Sequence, residues 1–226
     1  MEPSLDKWVK DLLASSDESV KMTEKQTKIL LAAIETFSEK GYAGTSTSEI
    51  AQKAGVAEGT IFRHYKTKKD LLLSVVAPVI TKLIGPFVLR DFTKMLDAPY
   101  ETYEDFLRAL FRNRMEFAKN NLPILKILIQ EIPFHDELRT NFLSVIGTNV
   151  FSRLTKVVDH YKAKGMLTKS IPSYAMIRFT ASTMIGLIAS LVFLLPEKDW
   201  DYEQELDHTI NMIMNGLANP QSDQAP

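Results

Sequence analysis

Ser46, Thr47, Thr60, Arg63, His64 and Lys68 crowd hydroxyl and basic side chains into one short stretch, Ser46–Lys69. The chemistry open to such a set is recognition of a polyanion that carries a readable edge. The arginine fork at Arg63 matches guanine O6 and N7, a pairing that supplies roughly 1–3 kcal/mol of discrimination. Thr60 can offer its methyl to a thymine or its hydroxyl to a phosphate. Ser46 and Thr47 stand where a helix should begin, and free amides there favour a phosphate oxygen. Gly59 has no side chain, so the backbone can approach a sugar-phosphate edge. His64 and Lys68 suit phosphates, which fix register without reading sequence. Tyr65 can serve either the core or the backbone. Alone, Lys66, Lys68 and Lys69 would read as a solvated helix start. Next to a helix-turn-helix they read as contacts to DNA.

The elements that must position these groups are visible around them. Thr23 with Gln26 forms a capping box, and Ile29, Leu30, Ala33, Ile34 and Phe37 follow at helical spacing. Gly41 should close that helix, because glycine tolerates positive φ. Ser46 with Glu49 makes a second box, opening a two-turn helix with Ile50, Ala51 and Ala54 inward and Gly55 at its end. A third helix starting at Ala57 or Glu58 turns Ile61 and Tyr65 inward and leaves Gly59, Thr60, Arg63 and His64 toward a groove. Thr67 with Asp70 starts a fourth. Two short helices joined by a tight turn lay the second in the DNA major groove.

Residues 23–72 resemble the DNA-binding domain of the TetR family of transcriptional repressors. The motifs carrying the resemblance are Gly41-Tyr42, Thr45-Ser46-Thr47, Ile50-Ala51, Ala54-Gly55-Val56, Gly59-Thr60-Ile61 and Phe62–Lys68, all in one register. The resemblance implies DNA contacts from Thr45, Ser46, Thr47, Gly59, Thr60, Phe62, Arg63, His64, Tyr65 and Lys68. Two positions depart from the pattern. Phe62 stands where the family often has Tyr, so a phenol-to-phosphate hydrogen bond is lost. Glu58 puts an acid at the start of the recognition helix, where it faces phosphate repulsion or accepts from a cytosine amino group.

Composition bounds the rest. A chain of 226 residues with 45% hydrophobic content can bury a sizeable core. The net charge of −1 hides an asymmetry: residues 21–72 carry nine Lys or Arg against six acids, residues 1–20 two against five. The chain has no cysteine, so disulfides and thiolate metal sites are excluded. Met1–Ser4 lacks a basic n-region and no apolar run follows it, which points to the cytoplasm. Leu5, Trp8, Val9, Leu12 and Leu13 suggest a short amphipathic helix in an N-terminal extension, residues 1–20. The helix-turn-helix domain is expected over 21–72, an effector-binding and dimerisation domain over 73–218, and a disordered tail over 219–226.

From residue 73 onward the pattern is helical, giving an all-α chain: an N-terminal three-helix DNA reader joined to a larger helical ligand-binding and dimerisation body. Pro78 and Gly85-Pro86 should end or kink the fourth helix. Thr102 and Asp105 open another, Asn120-Asn121 break it, and Pro123 starts a short helix ending near Pro133. Asp136 leads a long helix closed by Gly165. The apolar run Phe179–Leu195 carries Ala181, Gly186, Ala189 and Ser190, which let a second helix approach closely. A buried interface between two copies suits it better than a bilayer span. The resemblance implies a homodimer that reads a palindromic duplex site and is released by a small-molecule effector. Phe111, Met115, Phe151 and Phe179 are candidate lining for an apolar or amphipathic effector. Arg114 and Arg178 are candidates either to anchor an acidic headgroup or, equally, to pair with Glu116, Glu131 or another carboxylate. Neither a cofactor nor a metal site is expected. His135, Asp136, His160, His208 and Glu131 match no compact ligand spacing, and no nucleophile motif occurs, so catalysis is not expected.

Overall fold

The computed structural model describes residues 23–78, 94–146, 149–195 and 199–215. Every regular element among them is helical. They are α1 (Glu24–Gly44), α2 (Thr47–Ala54), α3 (Glu58–His64), α4 (Lys68–Pro78), α5 (Tyr103–Asn120) and α6 (Leu122–Glu131). After a 3-10 turn come α7 (Asp136–Ile146), α8 (Asn149–Ala163), α9 (Ser173–Ile188), which continues as a π-helical stretch over Ala189–Leu194, and α10 (Tyr202–Asn215). The expected N-terminal amphipathic helix, the kink near Gly85-Pro86 and the polar tail lie outside the described residues.

Local chemistry sets the helix ends. Thr23 and Gln26 exchange both capping-box bonds, Gln26 N to Thr23 Oγ1 at 3.3 Å and Thr23 N to Gln26 Oε1 at 2.8 Å. Thr67 and Asp70 do the same ahead of α4, each bond at 3.0 Å. The second box is half formed. Ser46 Oγ accepts from Glu49 N at 3.2 Å, but the Glu49 carboxylate pairs with Lys40. Gly41 takes φ 72° and Gly55 φ 67°, the left-handed values that end α1's regular turns and α2. After Gly55, Val56 N reaches back to Ala51 O at 3.0 Å.

The chain divides into two compact units, the first taking residues 1–91 and 120–150 and the second residues 92–119 and 151–226. In the first, Ile29, Ile34, Phe37, Ile50, Ile61, Leu71 and Leu72 are fully buried where α1 to α4 meet. The unit extends beyond the sequence-expected limit at residue 72. The apolar face of α6, Ile124, Ile127 and Leu128, is buried and packs on α1. The second unit has its core at Phe106, Leu107, Leu110, Phe111, Val158, Leu206 and Ile210. Across the outer faces of α5 and α10, Arg112 grips Glu203 through two bonds of 3.2 and 2.5 Å, and Arg108 pairs with Asp207.

Ser173–Leu194 is long and apolar enough to cross a bilayer by length and composition, a test that core helices of soluble proteins also pass. Much of its surface is uncovered. Phe179 is 53% exposed and Ile185 61%. A Cβ placed on Gly186 would meet nothing within 4 Å.

Candidate nucleic-acid interface

The recognition helix α3 is seven residues long, held by Ile61 at its centre and Tyr65 at its C-cap, both buried. Tyr65 is therefore a core residue, and burial pushes its phenol upward. The outer side of α3 presents Gly59 with open space around it, exposed Phe62 at 46%, exposed Arg63 and half-buried Thr60 and His64. Arg63, Lys66 and Lys69 have no ion-pair or hydrogen-bond partner among the described residues, so their cations face solvent.

Other sequence-derived candidates are engaged by the protein's own groups. Thr45 is 3% exposed, and its hydroxyl donates to Gly41 O at 2.8 Å; it locks the α1–α2 turn and has no surface to offer a phosphate. Ser46 Oγ caps α2 by accepting from Glu49 N and lies 3.0 Å from Ser48 Oγ. Thr47 Oγ1 donates to Glu58 Oε1 at 2.6 Å. That bond gives the unexpected acid a partner and ties the start of α2 to α3, whose N-cap Ala57 supplies no side-chain bond.

Lys68 differs most from its sequence reading. Its ammonium donates to Tyr42 O and Thr45 O, both at 2.7 Å, and sits 4.3 Å above the Tyr42 ring. Two of its three N–H groups are thus consumed in holding the loop between α1 and α2. Sequence reading also missed Tyr42 and Glu131. The Glu131 carboxylate, 8% exposed, accepts from Tyr42 N at 3.1 Å and lies 3.3 Å from His135 Nε2. No local signal could have found a contact between positions 89 residues apart.

The effector candidates do not converge. Phe111 and Met115 are packed in the core of the second unit at 1% and 3% exposure, and Phe151 is exposed. Phe179 lines a cavity of about 360 Å³ with Tyr103, Met166, Met176, Thr180 and Met214. Phe111, Met115 and Phe151 are absent from that lining. Arg114 is sequestered beside Asn113 Oδ1 (Nε at 3.0 Å), and burial pulls its guanidinium down to about 10, still cationic at neutral pH. Among the described residues, no group of three or more His, Asp or Glu side chains is arranged to hold a metal ion.

A helix-turn-helix with an exposed recognition helix, ahead of a second helical unit, defines a class of DNA-binding regulators. The family model described as bacterial regulatory proteins, tetR family, matches residues 29–75. The chain is 45% identical over 201 residues to the fatty acid metabolism regulator protein of Bacillus subtilis (strain 168), covering 86% of this chain and 96% of that one. It is 37% identical over 169 residues to the uncharacterised HTH-type transcriptional regulator YvdT of the same organism, covering 73% and 78%. The chain belongs to the tetR family and is a DNA-binding transcriptional regulator. Solved structures share its fold. The regulator FadR from Bacillus subtilis in complex with stearoyl-CoA superposes with a TM-score of 0.62, over 84% of this chain and 98% of that one, at 19% identity of superposed positions. The TetR family regulator PfmR from Thermus thermophilus gives 0.65 over 88% and 100%, at 20% identity.

Proposed function

We propose that this chain is a cytoplasmic, homodimeric repressor that leaves a palindromic operator when a long-chain acyl-CoA binds its second unit. The observation carrying this reading is the 45% identity, over 96% of its length, to a fatty acid metabolism regulator. The stearoyl-CoA held by a regulator of the same fold supplies the chemical class of the effector. An apolar cavity lined by Met166, Met176, Met214 and Phe179 supports the alkyl part, since unbranched thioethers adapt to a chain. The uncovered apolar surface of α9, with Gly186 bare at its middle, supports a second copy as its cover. On this reading, Thr60, Arg63 and exposed Phe62 of each copy face base edges and sugars. Gly59 allows close backbone approach, and Lys66 and Lys69 hold phosphates. The protein works by binding and release, with no chemical step.

The test is fluorescence anisotropy with a duplex taken from upstream of the protein's own gene, in excess non-specific competitor. Stearoyl-CoA, free stearate and CoA are then titrated separately. Saturable binding reversed by stearoyl-CoA and by neither fragment alone is the expected result. Binding that all three leave unchanged would sink the effector assignment while leaving the DNA function standing.

A further inference from the structure

The amide, the carbonyl and the aromatic ring of Tyr42 are each engaged by residues outside its own helix. The amide donates to Glu131 Oε1 at 3.1 Å, the carbonyl accepts from Lys68 Nζ at 2.7 Å, and the ring lies between that ammonium and the edge of His135, whose centroid is 5.2 Å away at 88°. Just before it, Gly41 sits at φ 72°, and a Cβ there would come within 3.3 Å of Gln130 Oε1. The loop leading into α2 and the recognition helix is thus seated on the C-terminal end of α6.

We propose that Glu131 is a positioning residue for DNA binding, and that α6 sets the placement of α2 and α3 by holding the Tyr42 amide through this carboxylate. A buried carboxylate is costly unless its oxygens are bonded; here one accepts from the Tyr42 amide and the other lies 3.3 Å from His135 Nε2. The bond is therefore directional and intolerant of small shifts. Electrostatics alone gives the opposite expectation. Removing an acid from a DNA-binding unit should tighten its grip on phosphates, whereas loss of the clamp should weaken it.

The chain path extends the role, resting here on the effector reading above. Lys119 is the last residue of the second unit in this part of the chain, and α6 begins at Leu122, with Asn121 between it and α5. A ligand that displaces α5 pulls on α6, and through Glu131 on Tyr42.

Three measurements on Glu131→Leu and Glu131→Gln test this in the full chain. Hydrogen exchange at the Tyr42 amide should rise in Glu131→Leu while the α1 core stays protected. Affinity for the operator duplex should fall ~10-fold or more, the scale of a lost charge-assisted bond. Glu131→Gln, which keeps a carbonyl oxygen for the amide, should stay within ~3-fold of wild type. The ratio of DNA affinities without and with stearoyl-CoA should shrink in Glu131→Leu, because the variant already resembles the released state. A structural loss alone would lower stability and leave that ratio intact, and that result overturns the coupling. Unchanged Tyr42 exchange, or DNA affinity unchanged or tighter in both variants, overturns the positioning role. A wild-type protein that ignores stearoyl-CoA removes the effector reading alone, since the exchange and affinity arms use no effector.

Discussion

Lys68 and Lys69 are neighbours in sequence with opposite surroundings, and salt titration separates them. Lys69 is exposed without a partner, whereas Lys68 is anchored on two carbonyls. If Lys66 and Lys69 of each subunit neutralise one phosphate apiece, a dimer releases counterions from about four sites, giving a slope of log K against log salt of about −3.6. Raising salt from about 50 to 200 mM should then weaken binding on the order of 150-fold. Lys69→Ala removes two of these contacts per dimer and should bring the slope to about −1.8. Lys68→Met should leave the slope unchanged. It should lower affinity at every salt concentration, because Tyr42 O and Thr45 O lose a charged donor, at a cost of about 1–3 kcal/mol. Anisotropy titrations at four or five ionic strengths on both variants give the two slopes directly. If Lys68→Met flattens the slope as much as Lys69→Ala does, the ammonium leaves its carbonyls for DNA, and assigning phosphate contacts from the protein's own hydrogen bonds is wrong.

Ile61→Ala opens a hole under α3 at a fully buried position and should cost about 2–5 kcal/mol in chemical denaturation. Gly55→Ala meets open space but must adopt φ 67°, so a loss of about 1–2 kcal/mol without any steric clash is expected in the same assay. Thr47→Val removes the bond to Glu58 at an accessible site; stability should change by less than about 1.5 kcal/mol, while a selection of bound duplexes should show altered base preference next to α3. Gly186→Leu has room in the single chain, so it should fold normally yet block close approach of a second α9. Light scattering should then report a monomer, and a dimer of unchanged affinity would move the interface elsewhere.

Local rules carried the sequence reading as far as local rules reach. Thr23 with Gln26, Thr67 with Asp70, and Thr102 with Asp105 all mark real helix starts, because a cap needs only four consecutive residues. Gly41, Gly55 and Gly165 all stand at positive φ where the pattern required a stop. Side-chain destinations were less legible. Thr45 and Lys68 look like any hydroxyl and any cation in a basic stretch, yet their partners are carbonyls that the fold brings to them. Phe111, Met115 and Phe179 share an apolar character that says they avoid water. It cannot say which of them packs in a core and which lines a cavity. Glu131 fits no compact metal-ligand spacing, and nothing local points to its partner, an amide on α1 that lies 89 residues away.

The excess of basic residues over 21–72 acquires its meaning from pairing. Lys28 is taken by Glu24, Lys40 by Glu49, and Lys53 by Glu35 and Glu39, while Lys68 is bound to backbone. Among the described residues, these pairs leave Lys25 free on α1 and group the free Arg63, Lys66 and Lys69 from α3 to the start of α4. If the protein is the homodimer proposed above, so few free cations in each copy give weak non-specific adhesion, and affinity must come from two readers docking together at a fixed spacing. A protein built this way does not need its cations masked in order to leave DNA. In such a dimer, a shift of one reader by a fraction of a helical turn removes half of the dimer's contacts and leaves a single half-site to hold the DNA. On that reading, a single hydrogen bond to the Tyr42 amide matters as much as a lysine placed to meet a phosphate.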